Sequence, residues 1–319
     1  YDIIELKSGK TFKPNVYGIN ASHYIQTLLY DLMIKSAFEP KTKSFNYILY
    51  SKESDKPLRF APPVRAQQFE AMKLRNDILA IEQKLQKLDE DNSLLSYIKP
   101  ENFPRLKGFN IKDVENFINI YSSLKPYEKT YFDHFTAFIA KEQALSKTGE
   151  HGVNKSNGHA ALWLETDDDK KDRFAILTGL TILENKSTED DAYITFVRDQ
   201  QDLSLVNFRI GDIGVLYPSG KNQQKSVLKN QIFKCTITQL TAESVEVKLR
   251  NKQYNQILFT QNNEWNIEQD SLDSGFNSMY KSLFMWAAAP LEFRSLYLGI
   301  TAPVFHKDTK KAIFSHEVT

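Results

Sequence analysis

The sequence predicts an α+β protein: a mixed strand–helix opening, a helical middle and a small antiparallel β-barrel. Three observations lead to that class. Apolar residues recur at helical spacing over residues 67–145, whereas short runs of strict alternation characterise residues 158–265. Between these regions, Gly149–Gly158 is rich in Gly, Asn, Ser and Lys and reads as a loop. The length of 319 residues suffices for two or three units, each with its own core. At 41% hydrophobic and 25% charged, the composition is that of a globular protein and excludes wholesale disorder.

Taken in order, Ile3 and Ile4 open a strand that gives way to a polar loop containing Gly9, Pro14 and Gly18. His23 to Lys35 is predicted helical, because Ile25, Leu28, Leu29, Leu32 and Met33 share one side. Phe45–Tyr50 alternates large β-formers and reads as a strand. From Gln67 to about Leu88, the residues Leu74, Ile78, Ile81, Leu85 and Leu88 follow the 4-3-4-3 spacing of a heptad seam. Asp89-Glu90-Asp91-Asn92 ends it, and Pro100 and Pro104 flank a linker. Helices are expected from about Ile111 to Ser123 and from Tyr127 to about Leu145, separated by Pro126. On the second, Tyr127, Tyr131, Phe135 and Phe138 form an aromatic face with Phe132 and Ile139 beside it.

In the barrel region, Phe233, Cys235 and Ile237 alternate with Lys234, Thr236 and Thr238. Val245, Val247 and Leu249 alternate with Glu246, Lys248 and Arg250, and the short Gln239–Ser244 connection predicts a hairpin. Several such strands favour a small closed barrel. Met279, Leu283 and Trp286 begin a final helix, interrupted at Pro290 and resumed through Leu291 to Ile300. The expected boundaries are 1–66, 67–150, 151–268 and 269–319.

The composition also excludes several classes. The longest apolar run, Leu283–Leu291, contains Pro290 and is far shorter than the roughly 20 residues a membrane helix needs, so no membrane partner is expected. A single cysteine, Cys235, leaves no disulfide framework and no cysteine-ligated zinc or iron–sulfur cluster within this chain. Tyr1-Asp2-Ile3-Ile4-Glu5 lacks an initiator Met and a signal-peptide pattern, which predicts a cytoplasmic protein and a fragment of a longer one. The net charge of +1 hides an uneven distribution. Residues 160–192 are mainly acidic, whereas Lys221, Lys225, Lys229, Lys234, Lys248, Arg250 and Lys252 make residues 220–253 basic.

The sharpest chemistry lies in Glu5-Leu6-Lys7-Ser8-Gly9-Lys10. A carboxylate and a lysine two residues apart on a strand point to one face. Glu5 can ligate a hard divalent cation there, and Lys7 can orient water or stabilise phosphorane charge. The other reading of this triplet is a solvated strand face. On the next helix Gln26 and Tyr30 are spaced i, i+4 and share a face, with His23 one turn earlier. Strand, Glu-x-Lys, loop and a helix bearing Gln-x-x-x-Tyr together resemble the RecB-like branch of the PD-(D/E)XK nucleases. The resemblance is greatest to nuclease domains fused to replication-type helicases. It implies a partial restriction-endonuclease-like α/β core in which Glu5 and the Leu6 backbone carbonyl bind Mg²⁺ or Mn²⁺ and Lys7 is catalytic. Gln26 and Tyr30 would then support the site or contact DNA. Family members also carry an upstream Gly-x-x-Asp strand, for which Asp2 is too close to Glu5 and on the opposite strand face. Many hold an iron–sulfur cluster that one cysteine cannot supply.

The rest of the chain resembles the β-barrel and stalk that precede the motor of superfamily 1B helicases. The resemblance rests on Phe208-Arg209-Ile210-Gly211-Asp212-Ile213, the Val245–Arg250 strand, Leu258-Phe259 and Leu298-Gly299-Ile300-Thr301-Ala302-Pro303. It implies that the barrel touches single-stranded or forked DNA, and that the rest of a parent chain supplies the upstream nuclease half and the motor. The basic residues named above, with Phe233, Tyr254 and Phe259 nearby, suit phosphate neutralisation and base stacking. The other reading is a lysine-rich strand face that blocks edge aggregation. A non-catalytic nucleic-acid-binding or protein-docking module is the alternative for the whole chain.

Gly9-Lys10-Thr11 imitates the end of a Walker A loop, but Ile4 stands where its first glycine belongs, so ATP is expected only in a motor beyond Thr319. His151 and His159, near Glu150 and Glu165, lack ligand spacing. Asp167-Asp168-Asp169 before Lys170-Lys171 reads as a solvated charged turn. Trp163, Trp265 and Trp286 are expected in cores or interfaces.

Overall fold

In the computed structural model, residues 2–37, 45–150, 158–198, 207–219, 227, 230–271 and 274–303 are described. Two compact units divide the chain, Tyr1–Leu95 and Ser96–Thr319. Among the described residues, no helix is long and apolar enough to cross a membrane.

In the first unit, β1 (Ile3–Lys7) is followed by α1 (Ala21–Ala37), β2 (Asn46–Tyr50), β3 (Leu58–Phe60) and α2 (Arg65–Leu85). β1 pairs in parallel with β2, and β3 adds to β2 antiparallel. The parallel pair needs a crossover, which the loop of residues 9–20 and α1 provide. That loop is pinned by side chains. Thr11 donates from both its N–H and its hydroxyl to Glu53, each at 2.8 Å, and Asn15 accepts from the N–H groups of Tyr17 and Ile19. Ile19, Tyr24 and Leu28 pack on Ile48, Tyr50 and Ala61 to form the core. Strand alternation sends Ile4 and Leu6 to the opposite sheet face, where each is 63% exposed.

Ala71 of α2 belongs to the same core, and Gln68 donates to the buried Asp31 of α1 at 3.0 Å. Helix α2 therefore packs with the first unit, whereas the sequence-based boundary at 66 grouped it with the helices that follow. α3 (Ser93–Tyr97) lies at the division between the units.

The second unit begins with α4 (Phe109–Ser123), α5 (Pro126–Thr148), α6 (His159–Leu164) and α7 (Asp167–Asp172). The aromatic face of α5 is largely outward: Tyr127, Phe135 and Phe138 are exposed. The stripe that packs inward holds Glu128, Phe132, Asp133, Thr136 and Ile139. Its carboxylates are met by partners, since Tyr121 of α4 donates to Asp133 at 2.9 Å and Arg294 bonds to Glu128. The Asp167-Asp168-Asp169 run is the first turn of α7. Thr166 caps it by accepting from the Asp169 N–H, and three carboxylates at a helix N-terminus complement its dipole.

The expected barrel is present as a closed antiparallel sheet of six strands. These are β4 (Ile176–Lys186), β5 (Tyr193–Val197), β6 (Ile213–Ser219), β7 (Phe233–Leu240), β8 (Ser244–Leu249) and β9 (Glu264–Gln269), in the order β4-β5-β8-β7-β6-β9. The predicted hairpin is β7–β8. Its alternation holds, with Phe233, Cys235, Ile237, Val245, Val247 and Leu249 all buried in the barrel core around Trp265. α8 (Ile257–Gln261) places Phe259 in the same core, its ring stacked 5.1 Å from that of Trp265. At Gly214 the strands approach so closely that a Cβ would lie 3.1 Å from Ile267 and 3.2 Å from the Glu268 carbonyl.

The chain returns to the α4–α5 layer through α9 (Ser274–Ala287) and α10 (Leu291–Tyr297). Trp286 packs 4.5 Å from Tyr131, and Phe284 stacks on Phe117.

Candidate functional site

The strand–loop–helix arrangement brings together the residues singled out at the start of the chain. Glu5 and Lys7 lie on the β1 face covered by α1, and the Lys7 ammonium donates to Glu5 Oε1 at 2.8 Å and to Gln26 Oε1 at 2.8 Å. The Gln26 amide then donates to the Tyr30 hydroxyl at 2.6 Å. Glu5, Lys7, Gln26 and Tyr30 thus form one hydrogen-bonded chain from strand to helix. The Glu5 and Lys7 side chains are about one-fifth exposed, 22% and 19%, so the pair is partly sheltered yet reachable from solvent. Leu6 sits between them with its side chain on the other sheet face.

Tyr50 is a member of this cluster that periodicity alone read only as a strand residue. Its hydroxyl lies 3.0 Å from His23 Nδ1 and accepts from the Asn20 N–H at 3.1 Å, fixing the start of α1 over the end of the sheet. Strand pairing sets Tyr50 beside Lys7. A tyrosine in register with the motif lysine, on the inner face, is the signal that could have found it.

Burial is the first cause that holds the His23 imidazole below its ordinary value, and the Lys7 cation adds to it while Glu5 opposes. Replacing Lys7 by methionine is therefore expected to raise the His23 titration midpoint, and Glu5→Gln to lower it. Imidazole proton chemical shifts followed against pH measure both. Shifts in the same direction for the two variants would contradict this placement.

The donor set around Glu5 does not complete a divalent-cation site. Among the described residues, no group of three or more His, Cys, Asp or Glu side chains could hold a metal, and Lys7 already occupies Glu5 Oε1. A divalent ion at Glu5 would need further oxygen ligands and a displaced Lys7 ammonium.

On the barrel, three of the four described cations of the basic cluster are matched by carboxylates. Lys248 pairs with Asp191, Lys252 with Asp190, and Lys234 with Asp270 at 2.6 Å. The first two arise because β5 pairs with β8, which sets the acidic turn before β5 beside the basic end of β8. Arg250 is exposed and forms no ion pair among the described residues, and Tyr254 is 79% exposed. Phe233 differs from expectation: it is a core residue, packed against Phe259 and Trp265, so its ring cannot stack on a base. Lys221, Lys225, Lys229 and His151 lie outside the described residues.

No protein-family model matches this chain, and a search of curated proteins finds no similar one.

Proposed function

We propose that this chain acts on DNA in replication or repair as part of a nuclease–helicase. The first unit supplies the Glu5–Lys7 side of a phosphodiester-cleaving centre, and the barrel contacts single-stranded DNA. The observation that carries the reading is the continuous Glu5–Lys7–Gln26–Tyr30 chain of hydrogen bonds. Held between two acceptors, the Lys7 ammonium is preorganised to meet a phosphate oxygen, and a fixed cation stabilises developing charge more than one that must reorganise. Gln26 and Tyr30 set its direction. Such a centre requires Mg²⁺ or Mn²⁺ and a second carboxylate, which the resemblance expects on a strand upstream of β1. With either ion, the 319-residue chain is accordingly expected to leave end-labelled single-stranded DNA uncut. Cleavage that disappears in Glu5→Ala would show instead that the centre is complete.

For the barrel, the expected contact is modest because three of its lysines already face carboxylates. Fluorescence anisotropy with a single-stranded oligonucleotide measures it across a salt series. Arg250→Ala is expected to reduce the magnitude of the salt slope by about 0.7, the share of one phosphate contact. An unchanged slope would remove Arg250 from the interface. The same neutralised surface, with Glu5 and Lys7 paired to each other, supports a second reading as a non-catalytic docking module.

A further inference from the structure

The later turns of α2 are unlike any other helical stretch described. Residues 73–84 are all exposed, yet they carry the apolar seam read from the sequence. Leu74, Ile78 and Ile81 are 43%, 48% and 49% exposed, and Leu85 continues the line at the helix end. A helix gains most of its stability from burying an apolar stripe, and this stripe has no cover among the described residues of its own unit.

The charges beside the seam indicate what covers it. With Ile78 and Leu85 at heptad position a, and Leu74 and Ile81 at d, Arg75 and Glu82 occupy e while Asp77 and Lys84 occupy g. Among the described residues, none of these four charged side chains forms an ion pair. Flanking charges at e and g select the partner and its direction.

We propose that α2 pairs with α2 of a second copy of this chain as a short antiparallel coiled coil, with the two-fold axis passing between Leu79 and Ala80. In that register Leu74 meets Leu85 of the second copy, and Ile78 meets Ile81. Asp77 then lies beside Lys84 of the second copy and Arg75 beside Glu82, and the symmetry repeats both pairs. All four flanking pairs are attractive. A parallel pairing would set Asp77 against Glu82 of the second copy on both sides, and like charges there are repulsive. Ala71 and Leu88 at either end are buried within their own chain, which limits the contact to the exposed turns.

Sedimentation of the 319-residue chain over about 1–200 µM tests the contact. The mass is expected to rise with concentration from 36.9 kDa toward twice that value. Ile78→Asp with Ile81→Asp is expected to hold it at the monomer mass, with an unchanged circular dichroism spectrum because both residues are exposed. Arg75→Glu with Lys84→Glu, and separately Asp77→Lys with Glu82→Lys, are each expected to remain monomeric, whereas mixing the two restores the dimer. Direction is read by disulfide formation between an Asp77→Cys chain and a Lys84→Cys chain. Cys235 does not compete, since burial pushes its thiol up to about 12. A monomer at every concentration, a dimer indifferent to these substitutions, or Asp77→Cys chains that link only to one another would each overturn the proposal.

Discussion

Replacing Lys170 by methionine is expected to destabilise the second unit by about 3–5 kcal/mol, because it leaves a carboxylate buried without its cation. Lys170 and Glu268 are 2.8 Å apart, with side chains only 5% and 3% exposed. Lys170 also donates to the Leu162 carbonyl at 3.1 Å, so it ties α6 and α7 to β9. Tyr217 donates to the same carboxylate from the outer face of β6, where it packs with Leu162 of α6. Burial raises the Glu268 carboxyl above its ordinary value, and Lys170 opposes that rise. Without Lys170 the value climbs further, and the folded state keeps a proton that the unfolded chain releases above about pH 4.5. The loss is therefore expected to be largest at neutral pH and to shrink as pH falls toward that value. Urea melts at several pH values measure it. Lys170→Met combined with Glu268→Gln should recover most of the stability, since Gln still accepts from Tyr217. A single variant that melts like the natural chain at pH 7 would show that the pair contributes nothing.

Glu128→Ala is expected to cost a similar amount, about 3–5 kcal/mol, by releasing α10 from α5. The Glu128 side chain is fully buried and accepts from Arg294 Nε at 2.8 Å and from the Lys125 N–H at 2.8 Å. One carboxylate thus caps the start of α5 and anchors a residue far along the chain. Burial pushes this carboxyl up, but the Arg294 and Lys125 hydrogen bonds outweigh it and hold the carboxyl below its usual range. The sign is opposite to that of Glu268. The stabilisation is present above the ordinary glutamate value and is lost as pH falls through the lowered one. Glu128→Gln is expected to flatten that acid limb. Hydrogen exchange should show α10 amides opening first in either variant, and protection of α10 equal to that in the natural chain would contradict the anchor.

These two networks also mark where periodicity ceases to be informative. Alternation correctly placed Cys235, Ile237, Val245 and Val247 inside the barrel, because a strand has two faces and one of them is uniformly apolar. It placed Phe233 inside as well, and grouping that ring with an outer basic cluster went against its own pattern. On α5 two stripes compete, one aromatic and one bearing Glu128 and Asp133, and the charged one is buried. Its choice depends on Arg294, distant in sequence, and no local window contains that partner. The basic hairpin is a similar case. Asp190 and Asp191 read as part of an acidic stretch until the β5–β8 pairing sets them beside Lys252 and Lys248.

The candidate site was legible for the opposite reason. Glu5 and Lys7 share a strand face by the two-residue repeat, Gln26 and Tyr30 share a helix face by the four-residue one, and only a short loop separates the two elements. The Glu53 anchor of the loop and the Tyr50 hydroxyl over α1 depend on tertiary geometry that no repeat encodes.

The claim that Lys7 meets a phosphate is tested most directly by the His23 imidazole, which senses the Lys7 charge without belonging to the hydrogen-bonded chain. Its proton resonances can be followed while the protein is titrated with a single-stranded oligonucleotide at low salt. A shift that saturates with DNA binding, vanishes in Lys7→Met and survives Tyr254→Ala is the expected result. A His23 signal that stays fixed while anisotropy reports bound DNA would place the nucleic acid elsewhere and contradict the proposed centre.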